Sequence, residues 1–253
     1  MAVAARRGTL NRRLLNPGTA GDFMWKGLNW HKRTSAETGG PAYNGQWAAG
    51  NVTGPDANGY VSLAITNPTG TSPTSSEFYS TRAGFGYGTY TVVVGARLDT
   101  LHKAIVFGCM FTYDGTQAAP LSKNEIDICE TSAWGADAWD VVLAHTYYVD
   151  DTNSDGAPEN LTDSIVMTAD TVHTHQMVWT PTSLTFRSYS GEGTGGTLLF
   201  QTVQTTSIPV PENEVIDFNL WVFNLGGTPP GPAPSGATPT TVVLRDFSFV
   251  PNV

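Results

Sequence analysis

Residues 125–130 read Glu-Ile-Asp-Ile-Cys-Glu, three carboxylates interleaved with apolar residues in a chain where only 14% of residues are charged. Isoleucine at 126 and 128 gives period-two alternation, so Glu125 and Asp127 share one strand face while the isoleucines face a core. Simple alternation sends Glu130, five residues after Glu125, to the wrong face. One extra residue near Cys129, a β-bulge, turns it back. Two glutamates flanking an aspartate suit a double displacement at a sugar: a nucleophile, a general acid/base and a carboxylate between them that tunes both.

A chain of 253 residues with 40% hydrophobic content is long enough for one large core. Its 27 glycines and 16 prolines imply many turns, and its seven tryptophans and nine tyrosines supply flat rings that stack on sugars and equally pack cores. The formal charge is −9, and the first 20 residues hold Arg6, Arg7, Arg12 and Arg13 with no acid. Removing those four positive charges leaves −13 on the remainder, which argues against nucleic acid as a partner. Cys109 and Cys129 are the only cysteines. Two give no disulfide framework, and both sit in apolar runs, so free buried thiols are expected. No membrane span or secretory signal is expected, since no stretch approaches 18 apolar residues and the N-terminus lacks an apolar h-region; the location is left unknown.

The elements that must position the acids are strands. Short alternating runs recur at 60–66, 77–81, 87–98, 104–113, 124–130, 140–149, 175–179, 183–189, 197–204, 215–223 and 241–250. Turn clusters separate them and no long 3.6-residue period intervenes, so the expected fold is an all-β antiparallel two-sheet β-sandwich. Residues 21–253 form that domain. Residues 1–20, ending in Asn16-Pro17-Gly18, form an extended basic arm suited to homo-oligomer or assembly contacts, and 228–239 is a Pro-rich surface loop.

From about residue 23 to 250 the chain resembles glycoside hydrolase family 16, the laminarinases and lichenases with a concanavalin-like jelly roll. Glu125–Glu130 looks like the family's bulged Glu-x-Asp-x-x-Glu motif. Ser76-Glu77-Phe78 and Phe85-Gly86-Tyr87-Gly88-Thr89-Tyr90 are similar to its acid-containing and Tyr-Gly-x-Tyr strands. Phe111-Thr112-Tyr113 is like the strand beside the catalytic one. His173-Thr174-His175 with Trp179-Thr180-Pro181, and Asn219-Leu220-Trp221, resemble two further strands. The departures are Thr185–Gly191, where the family's aspartate is missing, and His175, where tyrosine is usual. The linkage-specific features are mixed.

The resemblance and the strand geometry together assign Glu125 as nucleophile, Glu130 as acid/base and Asp127 as the group that tunes them. They imply an endo-acting retaining hydrolase of β-linked glycans with polysaccharide or oligosaccharide as partner and no catalytic cofactor. Alternation groups Asn219, Trp221 and Phe223 on one face, with Trp221 stacking on a pyranose ring and Asn219 bonding a hydroxyl. On 143–149 it aligns His145 with Tyr147, and the resemblance turns that face toward substrate, while a lone strand histidine reads equally as a hydrogen-bonded structural residue. Glu77 and Tyr113 join the site by resemblance, and Trp134 and Trp139, in the loop after the motif, either form a subsite wall or merely pin that loop. The resemblance also implies a structural calcium at Gly59 and Asp246. Asp151-Thr152-Asn153-Ser154-Asp155-Gly156 fits the first half of an EF-hand loop, but position twelve is Thr162 and a polar hairpin loop is the stronger reading. His173 and His175 suggest zinc without an evident third ligand. A second functional reading is a non-catalytic carbohydrate-binding or structural protein of a virion or other large assembly on the same fold.

Overall fold

In the computed structural model the described residues are 22–38, 45–68, 72–117, 122–134, 140–150, 159–223 and 241–252. The basic arm, the 151–156 loop, the Pro-rich 228–239 segment and Trp139 lie outside them. In chain order the strands are β1 (Phe23–Trp25), β2 (Leu28–Lys32), β3 (Gln46–Trp47), β4 (Val52–Thr53), β5 (Val61–Ala64), β6 (Thr74–Ser80), β7 (Gly88–Val94) and β8 (Ile105–Tyr113). They continue as β9 (Ile126–Ser132), β10 (Val142–Val149), β11 (Glu159–Val166), β12 (His173–Thr180), β13 (Ser183–Ser190), β14 (Leu198–Gln204), β15 (Val215–Val222) and β16 (Thr241–Pro251). The expected strand runs all appear, and β11 and the short β1–β4 are additional.

One sheet runs β1-β2-β6-β15-β8-β9-β10-β11, with β3 beside β6; the other runs β14-β13-β12-β7-β16-β5-β4. Among the described residues every strand pairing is antiparallel except β3 with β6. Alternating apolar residues from both sheets meet between them: Ile126 and Ile128 of β9, Phe218 and Leu220 of β15, Tyr90 and Val92 of β7, and Met177 and Trp179 of β12. Within this core Phe78 and Phe218 stack at 4.8 Å and Trp30 stands edge-on to Phe78 at 5.3 Å. This packing fixes which side of each strand is inside, and so which side of β9 the acids occupy.

The cysteines correct the expectation of free thiols. Cys109 of β8 and Cys129 of β9 are joined as a disulfide, with Cα atoms 5.5 Å apart, inside the usual range for such a bridge. The two strands are neighbours, a tertiary fact that the 20-residue separation along the chain does not display.

Candidate active site

The site is built by a double bulge. On one side of β9, Ala144 pairs with Glu130 and Thr146 with Asp127, so two steps along β10 span three along β9. On β8, Gly108 and Phe111 oppose Asn219 and Asp217, again three steps against two. Ile128 and Cys129, consecutive in β9, and Cys109 and Met110, consecutive in β8, therefore all face the core. The extra residue turns Glu130 onto the same face as Asp127. Glu125 joins them, because Ile126 opposes Tyr147 and the Tyr148 N–H donates to the Glu125 carbonyl at 3.0 Å.

This outer face of the nine-stranded sheet is polar yet recessed. Asp127 is 2% exposed and Glu130 7%, while Glu125 is partly accessible. Asp127 lies in one cross-strand row with Phe111 and Asp217, and Glu130 in the next with Gly108, Asn219 and Glu77. Tyr113, near the end of that face, is buried beneath Lys123, whose Nζ lies 5.8 Å from its ring. Across the two rows, Arg33 Nη2 is ion-paired with Glu77 Oε1 at 2.8 Å and lies 3.6 Å from Asp217 Oδ2. All three are buried, and a buried carboxylate needs such a partner. Glu77, expected to meet substrate, is thus ion-paired within the protein.

Trp221 stands on the acid side of β15 in a separate apolar cluster with Trp47, Val106 and Phe223, against which Trp134 packs. Trp134 meets Phe223 edge-on at 5.0 Å and Trp221 at 6.3 Å. A left-handed backbone at Trp134 (φ 51°) and a bond from its N–H to Ser132 Oγ turn the chain there. Asn219 Oδ1 accepts the Gly108 N–H at 3.1 Å. A Cβ at position 108 would come within 2.5 Å of that oxygen, so only glycine admits the contact. The amide is thereby oriented, with its NH₂ left as the donor.

His145 and Tyr147 are corrections. The residues of β10 on the acid face are Ala144, Thr146 and Tyr148; His145 and Tyr147 are fully inside, between the sheets. The His145 ring stacks with Phe186 (5.0 Å) and with Phe200 (5.4 Å). Its Nδ1 bonds the Ile128 carbonyl and its Nε2 contacts Ser188 Oγ at 3.3 Å, which bonds His175 Nδ1 at 2.9 Å. Burial pushes the His145 pKa down to about 4 and that of His175 well below its ordinary value, which favours the neutral form of each ring. The Tyr147 hydroxyl donates to the Thr206 carbonyl.

Sequence reasoning missed Asp217, Arg33 and Thr146. Asp217 had a signal, since it shares the parity of Asn219 and Trp221. Arg33 lies one residue beyond β2, where alternation gives none.

Among the described residues, those expected to hold calcium engage protein partners. Asp246 Oδ1 is ion-paired with Lys26 Nζ at 2.8 Å, and the Gly59 carbonyl accepts the Trp25 indole N–H at 2.8 Å. A lysine ammonium thus stands at the carboxylate that would ligate calcium. The sulfurs of Cys109 and Cys129 and a nitrogen of His175 lie within 4.8 Å of one another, but sulfurs joined to each other are not thiolate ligands for zinc.

Neither a protein-family model nor a curated protein matches the chain by sequence. Solved structures do match it. Bacillus licheniformis β-glucanase superimposes with a TM-score of 0.62 at 24% identity, over 93% of this chain and 100% of that one. A Bacteroides ovatus family 16 protein in complex with a mixed-linkage glucan product gives 0.66 at 14% identity, over 90% and 97%. LamAcat from Zobellia galactanivorans gives 0.60 at 17%, over 87% and 90%. The described sandwich therefore has the fold of the glycoside hydrolase family 16 β-glucanases.

Proposed function

We propose that the chain is an endo-acting glycoside hydrolase that cleaves β-linked glycans with retention of configuration. The observation that carries the reading is the β9 bulge, which aligns Glu125, Asp127 and Glu130 on one recessed face. Glu125, the most accessible of the three, attacks the anomeric carbon while Glu130 protonates the departing glycosidic oxygen. A glycosyl ester on Glu125 forms as the C–O bond breaks. Glu130, now a carboxylate, takes a proton from water, which attacks the same carbon and releases Glu125. Asp127 between them keeps the two glutamates non-equivalent. The Asn219 NH₂ donates to a sugar hydroxyl, and Trp221 and Trp134 flank the sugar path beyond it.

The names of the structural neighbours support β-glucan as the substrate class. A glycan-degradation panel with wild type beside Glu125→Gln tests the proposal. Release of oligosaccharides by wild type, lost by several orders of magnitude in the variant while the fold persists, is expected. Turnover that survives in Glu125→Gln contradicts the assignment, and binding without turnover by wild type favours a non-catalytic role.

A further inference from the structure

We propose that His145 is a positioning residue for Glu130, holding the β9 bulge by the Ile128 carbonyl from the core side of the sheet. The inference rests on the hydrolase reading above and adds a residue that never meets the sugar. A bulge leaves backbone groups without their ladder partners, and a buried orphan is costly. Here two side chains take up groups of the double bulge from opposite faces. Asn219 accepts the Gly108 N–H on β8, and His145 lies on β10 between Ala144 and Thr146, opposite Ile128 and Cys129. Its Nδ1 reaches the carbonyl two residues before Glu130.

The surrounding groups fix the ring's tautomer. A carbonyl only accepts, so Nδ1 carries the proton and Nε2 is an acceptor. Ser188 then donates to Nε2, and His175 must donate to Ser188 through its own Nδ1. Phe186 and Phe200 lie nearly parallel to the ring, at interplanar angles of 13° and 5°. Asp163 of β11, opposite His145 in register, is the charged residue facing it and is engaged by Thr202 and Gln204. One ring thus links the bulge to both sheets, and small displacements of a catalytic group are expensive in rate.

The test compares His145→Phe, which keeps the flat ring without the donor, with His145→Asn, whose Nδ2 stands where Nδ1 stood. Histidine-to-phenylalanine should lower kcat about 100-fold, leave KM near the wild-type value and move the alkaline limb of the kcat profile, which reports the acid/base. Histidine-to-asparagine should restore most of kcat. Equal kcat in wild type and His145→Phe, or no difference between the two variants, overturns the proposal. Long-range ¹H–¹⁵N spectra of the wild-type ring need no variant to fold and no substrate. A neutral ring protonated at Nδ1 at pH 7 is expected, and protonation at Nε2 overturns the contact. If wild type degrades no glycan, the hydrolase reading fails, while the spectrum still decides the bulge contact.

Discussion

Reducing the Cys109–Cys129 disulfide isolates one contribution to stability, because both sulfurs stay in the core as thiols and little apolar burial changes. The bridge spans 20 residues of chain. The loss of loop entropy in the unfolded ensemble gives roughly 3 kcal/mol at 25 °C for a loop of this size, a large share of the 5–15 kcal/mol typical of a domain. With a urea m-value of about 3 kcal/mol/M, the midpoint should fall by about 1 M. The assay is equilibrium urea unfolding with and without a phosphine reductant, with intact-mass measurement after alkylation to count thiols. Reduced protein whose midpoint coincides with that of the oxidised chain would refute the reasoning, as would alkylation of both cysteines in native protein without reductant. The bridge joins the two bulges behind the acid face, so activity should fall along with stability.

Stability should also fall on mild acidification. His145 has its pKa lowered to about 4 by burial, so below its ordinary value near 6.5 the unfolded chain takes up a proton that the folded chain refuses. The stabilisation is present above pH 6.5 and is lost as the pH falls toward 4, on the order of 3 kcal/mol for this one ring, with His175 acting in the same direction; urea midpoints unchanged between pH 7 and 5 would contradict this. The melting temperature should be the same in EDTA and in millimolar calcium, because Lys26 occupies Asp246; a calcium-dependent rise would restore the metal. Trp221→Ala should weaken oligosaccharide binding in a Glu125→Gln background by about 1 kcal/mol, read by calorimetry, and unchanged affinity would make Trp221 packing alone.

What could be read in the chain depended on whether neighbours along the sequence carried the signal. The β9 bulge was legible because two isoleucines set the phase and Glu130 fell out of it. The long strands were legible for the same reason. β11, Glu-Asn-Leu-Thr-Asp-Ser-Ile-Val, is a polar edge strand with no continuous apolar face, and β3 and β4 are two residues long, too short to alternate. On β10 the two faces read Ala-Thr-Tyr and Leu-His-Tyr, so the resemblance and the polar histidine together put His145 outside. The core accepts it only because Ile128 and Ser188 supply partners. The disulfide and the Arg33–Glu77 pair depend on which strands are adjacent, and residue spacing does not record that.

The central claim is that Glu125 and Glu130 act across one glycosidic bond as nucleophile and acid/base. Proton NMR of the first-formed reducing ends, recorded during hydrolysis of a β-glucan oligosaccharide faster than mutarotation, tests it most directly. The account predicts the β anomer accumulating first and the α anomer appearing only as the solution mutarotates. First appearance of the α anomer would mean that water attacks directly, with no ester on Glu125, and would contradict the account.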